Sequence, residues 1–207
     1  ELQQQVRELF VGNFKKRGTL SMRELVRRKG GRMIFVEYDL SVGETLTPIY
    51  TLLFDLAIKE ALSRKKSEGN VFFLVDEFRL LPNLTHIDDA VNFGRSMGVK
   101  FMIGIQNIEQ MYEVYGQARA RSILSGFLTS ICFRVNDASS IEYIQKLHGH
   151  NRKKEVYMAS VQGRGLVENV RDANVVEDWD IQRLGIGEAI IGLPGREPFW
   201  FHFLRAK

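Results

Sequence analysis

Two acidic residues stand side by side at the end of an apolar run: Val71-Phe72-Phe73-Leu74-Val75 leads straight into Asp76-Glu77. Such a run reads as a strand buried on both faces of a parallel sheet. Adjacent acids at its C-terminal end lie where open α/β sheets bind ligands. The first carboxylate could hold a magnesium ion, directly or through water, beside a nucleotide's phosphates. The second could accept a hydrogen bond from an attacking water, as general base or positioner. A plainer reading has Asp76 cap the next helix, with Glu77 on its first turn.

Other residues bear on that choice. The next apolar run, Lys100-Phe101-Met102-Ile103-Gly104-Ile105, ends at Gln106-Asn107. An amide at the tip of the neighbouring strand would face the same crevice as the acids, where it could sense a γ-phosphate or orient water. Arg95 sits in Asn92-Phe93-Gly94-Arg95-Ser96-Met97-Gly98, at a helix end loosened by two glycines. A planar, permanently charged fork there could reach a neighbouring subunit's nucleotide, or simply balance a helix dipole. A phosphate-binding loop ending in Gly-Lys-Ser/Thr should accompany these residues, yet no Gly-Lys dipeptide occurs in the chain, and Gly12–Thr19 has the wrong spacing. The four histidines have no metal-ligand spacing, and the methionines and phenylalanines read as core.

The elements that must position these groups follow from periodicity and punctuation. Ser21-Met22-Arg23-Glu24 has capping-box spacing, and Gly30-Gly31 stops that helix. Met33 to Tyr38 reads as a strand. Thr47-Pro48 supplies an N-cap and first helical residue, with Ile49, Leu52, Leu53 and Leu56 on one face. Val71–Val75 and Val99–Ile105 are strands, with a helical stretch through Phe93 between them. Helices are expected at 109–115 and 118–124, a strand at 129–135 and a helix at 138–147. After Gly149 comes the basic stretch Asn151-Arg152-Lys153-Lys154-Glu155. Val156–Val161 and Leu166–Val170 then flank Gly163-Arg164-Gly165 as a hairpin, and 189–193 with 199–203 form a second. Alternation followed by hairpins predicts an α/β domain with a mostly parallel sheet.

Bulk properties agree. Of 207 residues, 44% are hydrophobic and 26% charged, enough to bury a core. The net charge of +4 permits a nucleic-acid partner without arguing for one. The single cysteine, Cys132, excludes an internal disulfide and a multi-cysteine zinc site, so reducing cytoplasm is the default expectation. No apolar run approaches the ~20 residues that span a bilayer. The chain starts at Glu1 rather than Met, so a piece of something longer is expected.

In order along the chain, Gly30-Gly31-Arg32-Met33-Ile34-Phe35-Val36-Glu37-Tyr38, Leu74-Val75-Asp76-Glu77-Phe78, Asn92-Phe93-Gly94-Arg95, Ile103-Gly104-Ile105-Gln106-Asn107 and Phe133-Arg134-Val135-Asn136-Asp137 resemble conjugative coupling proteins, the TraG/TraD-type ATPases of type IV secretion. The resemblance runs from about Thr19 to Phe203. It implies a RecA-like P-loop NTPase core that uses ATP and Mg2+, hexamers on the cytoplasmic face of the bacterial inner membrane, and transport of single-stranded DNA with its relaxase into the secretion channel. On that pattern Asp76 and Glu77 match the Walker B pair, Gln106 the sensor and Arg95 the arginine finger. Arg134 becomes a phosphate-side or interface residue. Residues 1–30 match the end of an all-helical domain, and 31–207 the C-terminal part of the motor domain.

The resemblance also implies that the membrane anchor and the Walker A strand and loop lie upstream. The 207 residues alone are then expected to be silent, to hold no nucleotide tightly, and to fill an open apolar sheet edge by strand exchange, partner pairing or rearrangement. Two further readings stand beside the motor: a hexamer-assembly piece, or a non-catalytic nucleic-acid-binding module using Arg152, Lys153, Lys154, Arg164 and Arg171 around the first hairpin.

Overall fold

The computed structural model describes residue 7 and residues 11–28, 30–158 and 166–204. The chain divides into two compact units, residues 1–106 with 110–126, and residues 107–109 with 127–207.

In the first unit, helix α1 (Met22–Arg27) starts at Ser21, whose Oγ accepts from the Glu24 amide at 3.3 Å. Helix α2 (Gly43–Leu62) buries Glu60, which meets Arg23 at 3.2 Å and also Arg27, tying α1 to α2. Two expectations are corrected here. The helix begins at Gly43 rather than at Thr47-Pro48. Thr47 Oγ1 donates back to the Gly43 carbonyl at 2.9 Å, and Pro48, inside the helix, removes only one backbone donor. The buried stripe is Ala57, Ile58 and Ala61, while Leu52 and Leu56 are exposed. Small side chains let neighbouring helices approach closely, and the leucines stay on the open side. Met33–Tyr38 is not a strand either: it joins no ladder among the described residues, and Met33 and Phe35 are 82% and 86% exposed. High β-propensity without a pairing partner makes no sheet.

Strands β1 (Val71–Val75) and β2 (Val99–Ile103) pair in parallel, Val71 opposite Val99 and Val75 opposite Ile103. The register stacks Phe73 on Phe101 with centroids 4.7 Å apart. The strands were expected to be buried on both faces. Instead Phe73 and Val75 are inside while Phe72, Leu74 and Met102 are exposed, because helices cover one face of this pair and side chains alternate. Helix α3 (Ile87–Phe93), helix α4 (Ile108–Tyr115), most of which lies in this unit, and helix α5 (Gln117–Ser125) complete it. Phe78, Leu84, Ile87, Met111 and Ile123 are almost fully buried. Arg119 clamps α5 to α3 through Asp88 at 2.7 Å and the Leu84 carbonyl at 2.6 Å.

The second unit contains β3 (Ser130–Cys132), α6 (Ala138–His148), β4 (His150–Met158), β5 (Leu166–Asn174), α7 (Asp178–Gln182), β6 (Glu188–Gly192) and β7 (Phe199–His202). Its sheets are antiparallel: β3-β6-β7, and the β4–β5 hairpin. Parallel pairing among the described residues is therefore confined to β1 and β2. The strand expected at 129–135 shrinks to three residues held by β6. The basic stretch 151–155 is part of strand β4, because β5 offers it both a ladder and acidic partners. The turn at Gly163-Arg164-Gly165 lies outside the described residues. Ile141, Ile144, Val176, Ile181, Leu184 and Ile190 form this unit's core. No described helix is long and apolar enough to cross a membrane.

Candidate functional site

The corner that holds the acids is built by a glycine. Beyond the last β1–β2 rung the Gly104 amide donates to the Val75 carbonyl at 2.7 Å, and the Phe78 amide donates to the Gly104 carbonyl at 2.9 Å. The chain between Val75 and Phe78, which is Asp76-Glu77, is thus gripped on both sides by one residue. A Cβ on Gly104 would sit 2.1 Å from the Asp76 carbonyl oxygen, so only glycine permits the approach. Below the corner, buried Phe78 stacks on Tyr115 with centroids 5.4 Å apart, and the Tyr115 hydroxyl donates to the Leu81 carbonyl at 2.5 Å. Burial pushes the Tyr115 phenol far up, so it remains a neutral donor.

Strand alternation separates the two carboxylates. Asp76 continues the open face of Phe72 and Leu74 and is exposed, while Glu77 turns inward with 18% of its side chain exposed. The capping role weighed for Asp76 is not seen: one 3-10 turn follows, Phe78–Leu80, with Glu77 at its N-cap and no side-chain cap. Gln106 comes to the same corner, its Nε2 donating to Glu77 Oε2 at 2.6 Å. The other oxygen, Oε1, is shielded from solvent and accepts no hydrogen bond among the described residues. Its charged neighbour is Arg79, with Nε 3.6 Å away.

This donor set fits a magnesium nucleotide on its protein side. Asp76 offers a hard, exposed carboxylate with no ion-pair partner among the described residues, which suits a cation that keeps several waters and takes one or two carboxylates. Glu77 offers an unsaturated buried oxygen.

The remaining candidates are carried by other elements. Arg95 is exposed in the turn Gly94–Met97, ahead of the N-terminal end of β2. The acids follow the C-terminal end of β1, and the two strands are parallel. Arg95 and the acids are therefore at opposite ends of a five-residue pair, roughly 16 Å of strand. Arg134 is exposed two residues past β3, in the second unit. Around the β4–β5 hairpin, Lys153 meets Glu177 at 3.2 Å, Lys154 meets Glu168 at 2.7 Å, Arg152 meets Asp172 at 3.5 Å, and Arg171 meets Glu155 at 2.6 Å. Arg164 lies outside the described residues.

Sequence reasoning missed two residues of the corner. Gly104 had a signal, a glycine inside an apolar strand pattern. Arg79 had none, because residues two apart face each other only where a turn departs from helical geometry.

The chain is similar to known proteins in both sequence and fold. At 25% identity over 176 residues the chain matches coupling protein TraD of Escherichia coli K12, covering 80% of this chain and 24% of TraD. It is 24% identical over 162 residues to protein VirD4 of Agrobacterium fabrum, covering 75% of this chain and 24% of VirD4. Among solved structures, the unbound bacterial conjugative coupling protein TrwBdeltaN70 superposes with a TM-score of 0.81 at 20% identity, over 92% of this chain and 45% of that one. Plasmid coupling protein TrwB in complex with ADP and Mg2+ gives 0.74 over 92% and 44%. The chain thus spans 24% of these curated relatives and under half of these solved chains, and its fold is the mixed α/β, RecA-like one. The family model for the type IV secretion-system coupling protein DNA-binding domain matches residues 2–198, and the chain belongs to that family.

Proposed function

We propose that the protein containing this chain hydrolyses ATP to drive single-stranded DNA, with its relaxase, into a type IV secretion channel. In this reading residues 31–207 belong to its motor domain and residues 1–30 to the end of its helical domain. It works as a hexamer at the cytoplasmic face of the inner membrane. The observation that carries the reading is the corner itself: Gln106 bonded to Glu77 at 2.6 Å, beside an exposed Asp76, at the C-terminal end of a parallel strand.

Asp76 would hold the magnesium ion, directly or through water. A bound magnesium nucleotide supplies the phosphoryl group to be transferred and offsets its charge. Glu77 orients a water and takes its proton on a carboxylate oxygen. Gln106 fixes the Glu77 rotamer through Oε2. Arg95, a strand's length from its own acids, serves a neighbouring copy's nucleotide, and Arg134 is a phosphate-side or interface residue. The 207 residues carry no lysine-bearing phosphate loop, so the phosphate cradle comes from another part of the protein and this chain by itself should not turn over. The TrwB structures with ADP and Mg2+ and with a non-hydrolysable ATP analogue support the choice of cofactor.

Glu77→Gln in the full-length protein keeps the shape and removes the base. Turnover should fall by roughly 10²–10⁴-fold, the usual weight of general-base catalysis, with nucleotide affinity retained. Steady-state hydrolysis and equilibrium nucleotide binding measure the two separately. Undiminished turnover would sink the assignment. The reading of the β4–β5 hairpin as a nucleic-acid surface gains no support from its geometry, since Lys153 and Lys154 both face acids.

A further inference from the structure

Glu77 Oε2 is taken by Gln106, so Oε1 is the oxygen left to work on water. That oxygen is shielded from solvent, lacks a hydrogen bond among the described residues and lies 3.6 Å from Arg79 Nε. The backbone around Arg79 cannot move easily. Phe78 is fully buried and bonded to Gly104, and the Leu81 amide closes the turn onto the Phe78 carbonyl at 3.1 Å. The Arg79 side chain is different: it is 48% exposed and can swing away without opening a cavity. A guanidinium facing this oxygen competes with water for it. An arriving anion, in turn, would compete with Glu77 for the guanidinium.

We propose that Arg79 is a positioning residue for Glu77 and a latch on it, released when a phosphate anion draws the guanidinium away from Oε1. The proposal rests on Glu77 acting on water. Phosphate could come from the nucleotide or from the backbone of a single strand, and either offers an arginine two oxygens in bidentate geometry, whereas Glu77 offers it a single contact at 3.6 Å. With the latch closed, Glu77 is held but occupied. With it open, Oε1 is free while Gln106 still fixes the side chain, so the base is delivered in one orientation.

The test is nucleotide hydrolysis by the full-length protein, with and without single-stranded DNA, for the wild type, Arg79→Ala and Arg79→Lys. If the strand's phosphate opens the latch, Arg79→Ala raises turnover without DNA by about fivefold or more, the low end of typical coupling. DNA stimulation then shrinks correspondingly and KM stays put. If the nucleotide's phosphate opens it, Arg79→Ala raises KM at unchanged or higher kcat, alike with and without DNA. In both cases Arg79→Lys, which keeps the charge, restores wild-type behaviour in part. A wild-type kcat, KM and stimulation ratio in Arg79→Ala overturns the latch. So does a fall in kcat that lysine leaves unrepaired, because that marks a merely structural side chain. Glu77→Gln run alongside separates the levels: if it still turns over, the base assignment fails and the latch with it. If it is dead while Arg79→Ala is silent, the latch alone fails.

Discussion

The acidic corner and the β4–β5 hairpin are both rich in charge, and they use it in opposite ways. At the corner Asp76 has no ion-pair partner among the described residues, and Glu77 has one oxygen bonded to Gln106 and the other without a hydrogen bond among the described residues, 3.6 Å from Arg79. On the hairpin, Arg152, Lys153, Lys154 and Arg171 each face an acid within 3.5 Å. The corner's arrangement is costly, since partly buried polar groups left incomplete destabilise a fold. It survives because the backbone forces it, through a glycine that brings two chain segments into contact. The hairpin needs no such force, because cross-strand pairs of opposite charge stabilise the ladder that carries them. In the proposed reading, carboxylate oxygens left without hydrogen bonds mark chemistry, while charge that cancels marks structure.

The comparison is broken most severely at Gly104. Alanine there places a methyl carbon 2.1 Å from a backbone carbonyl, which has no rotamer to yield, so β1 and β2 must part where the acids turn. Gly104→Ala should cost about 3 kcal/mol, toward the upper end of overpacking effects, and should abolish turnover in the full-length protein. Gly18→Ala, with nothing within 4 Å of the added atom and an ordinary φ, should change the denaturation midpoint little. Equal midpoints for the two variants would show that the corner is not gripped as described.

A smaller effect sharpens the second unit. His148 ends α6, and its Nε2 is shielded and unbonded among the described residues. Burial holds its pKa below the ordinary value of 6.5. The folded state therefore favours the neutral ring, and the unfolded chain binds a proton more readily. The contribution is complete above pH 6.5 and is lost as pH falls through the depressed folded value. Denaturant midpoints measured from pH 7.5 down to 5 should fall more steeply in the parent than in His148→Gln. Parallel curves would remove His148 as a cause.

How much of this was legible in sequence depends on whether the interaction is local. The β1 run, its terminal acids and the amide after β2 could be read because each is a contiguous pattern. So could the helix cap at Ser21, where donor and acceptor lie three residues apart. The buried stripe of α2 was misread, because apolar periodicity cannot tell which side a neighbouring helix will take. Met33–Tyr38 had a strand's composition and no partner, a property of pairing rather than of residues. The pairing of the basic stretch with Glu168 and Asp172 depends on a hairpin register that sequence leaves open. Arg79 belongs to the same class, since its approach to Glu77 follows from a turn conformation imposed by Gly104.

The smallest effect falls on the hairpin and tests the comparison from its other side. If Lys153 and Lys154 each contacted a phosphate, replacing both by alanine would reduce the slope of log affinity against log salt by about 1.4, at roughly 0.7 per single-strand contact. Their positions argue otherwise. Lys153 is held at 3.2 Å from Glu177, which is also approached by Arg171 at 3.9 Å, and Lys154 meets Glu168 diagonally across the ladder at 2.7 Å. A phosphate would have to compete with a carboxylate already in place, and the gain in one ion pair is offset by the loss of another. Lys153→Ala with Lys154→Ala should therefore shift the salt slope of single-strand binding by well under one unit. It should lower stability by no more than about 1 kcal/mol, the range of exposed ion pairs. A full loss of about 1.4 in the slope would mean that cancelled charge can still read a backbone, and the contrast between corner and hairpin would no longer separate chemistry from scaffold.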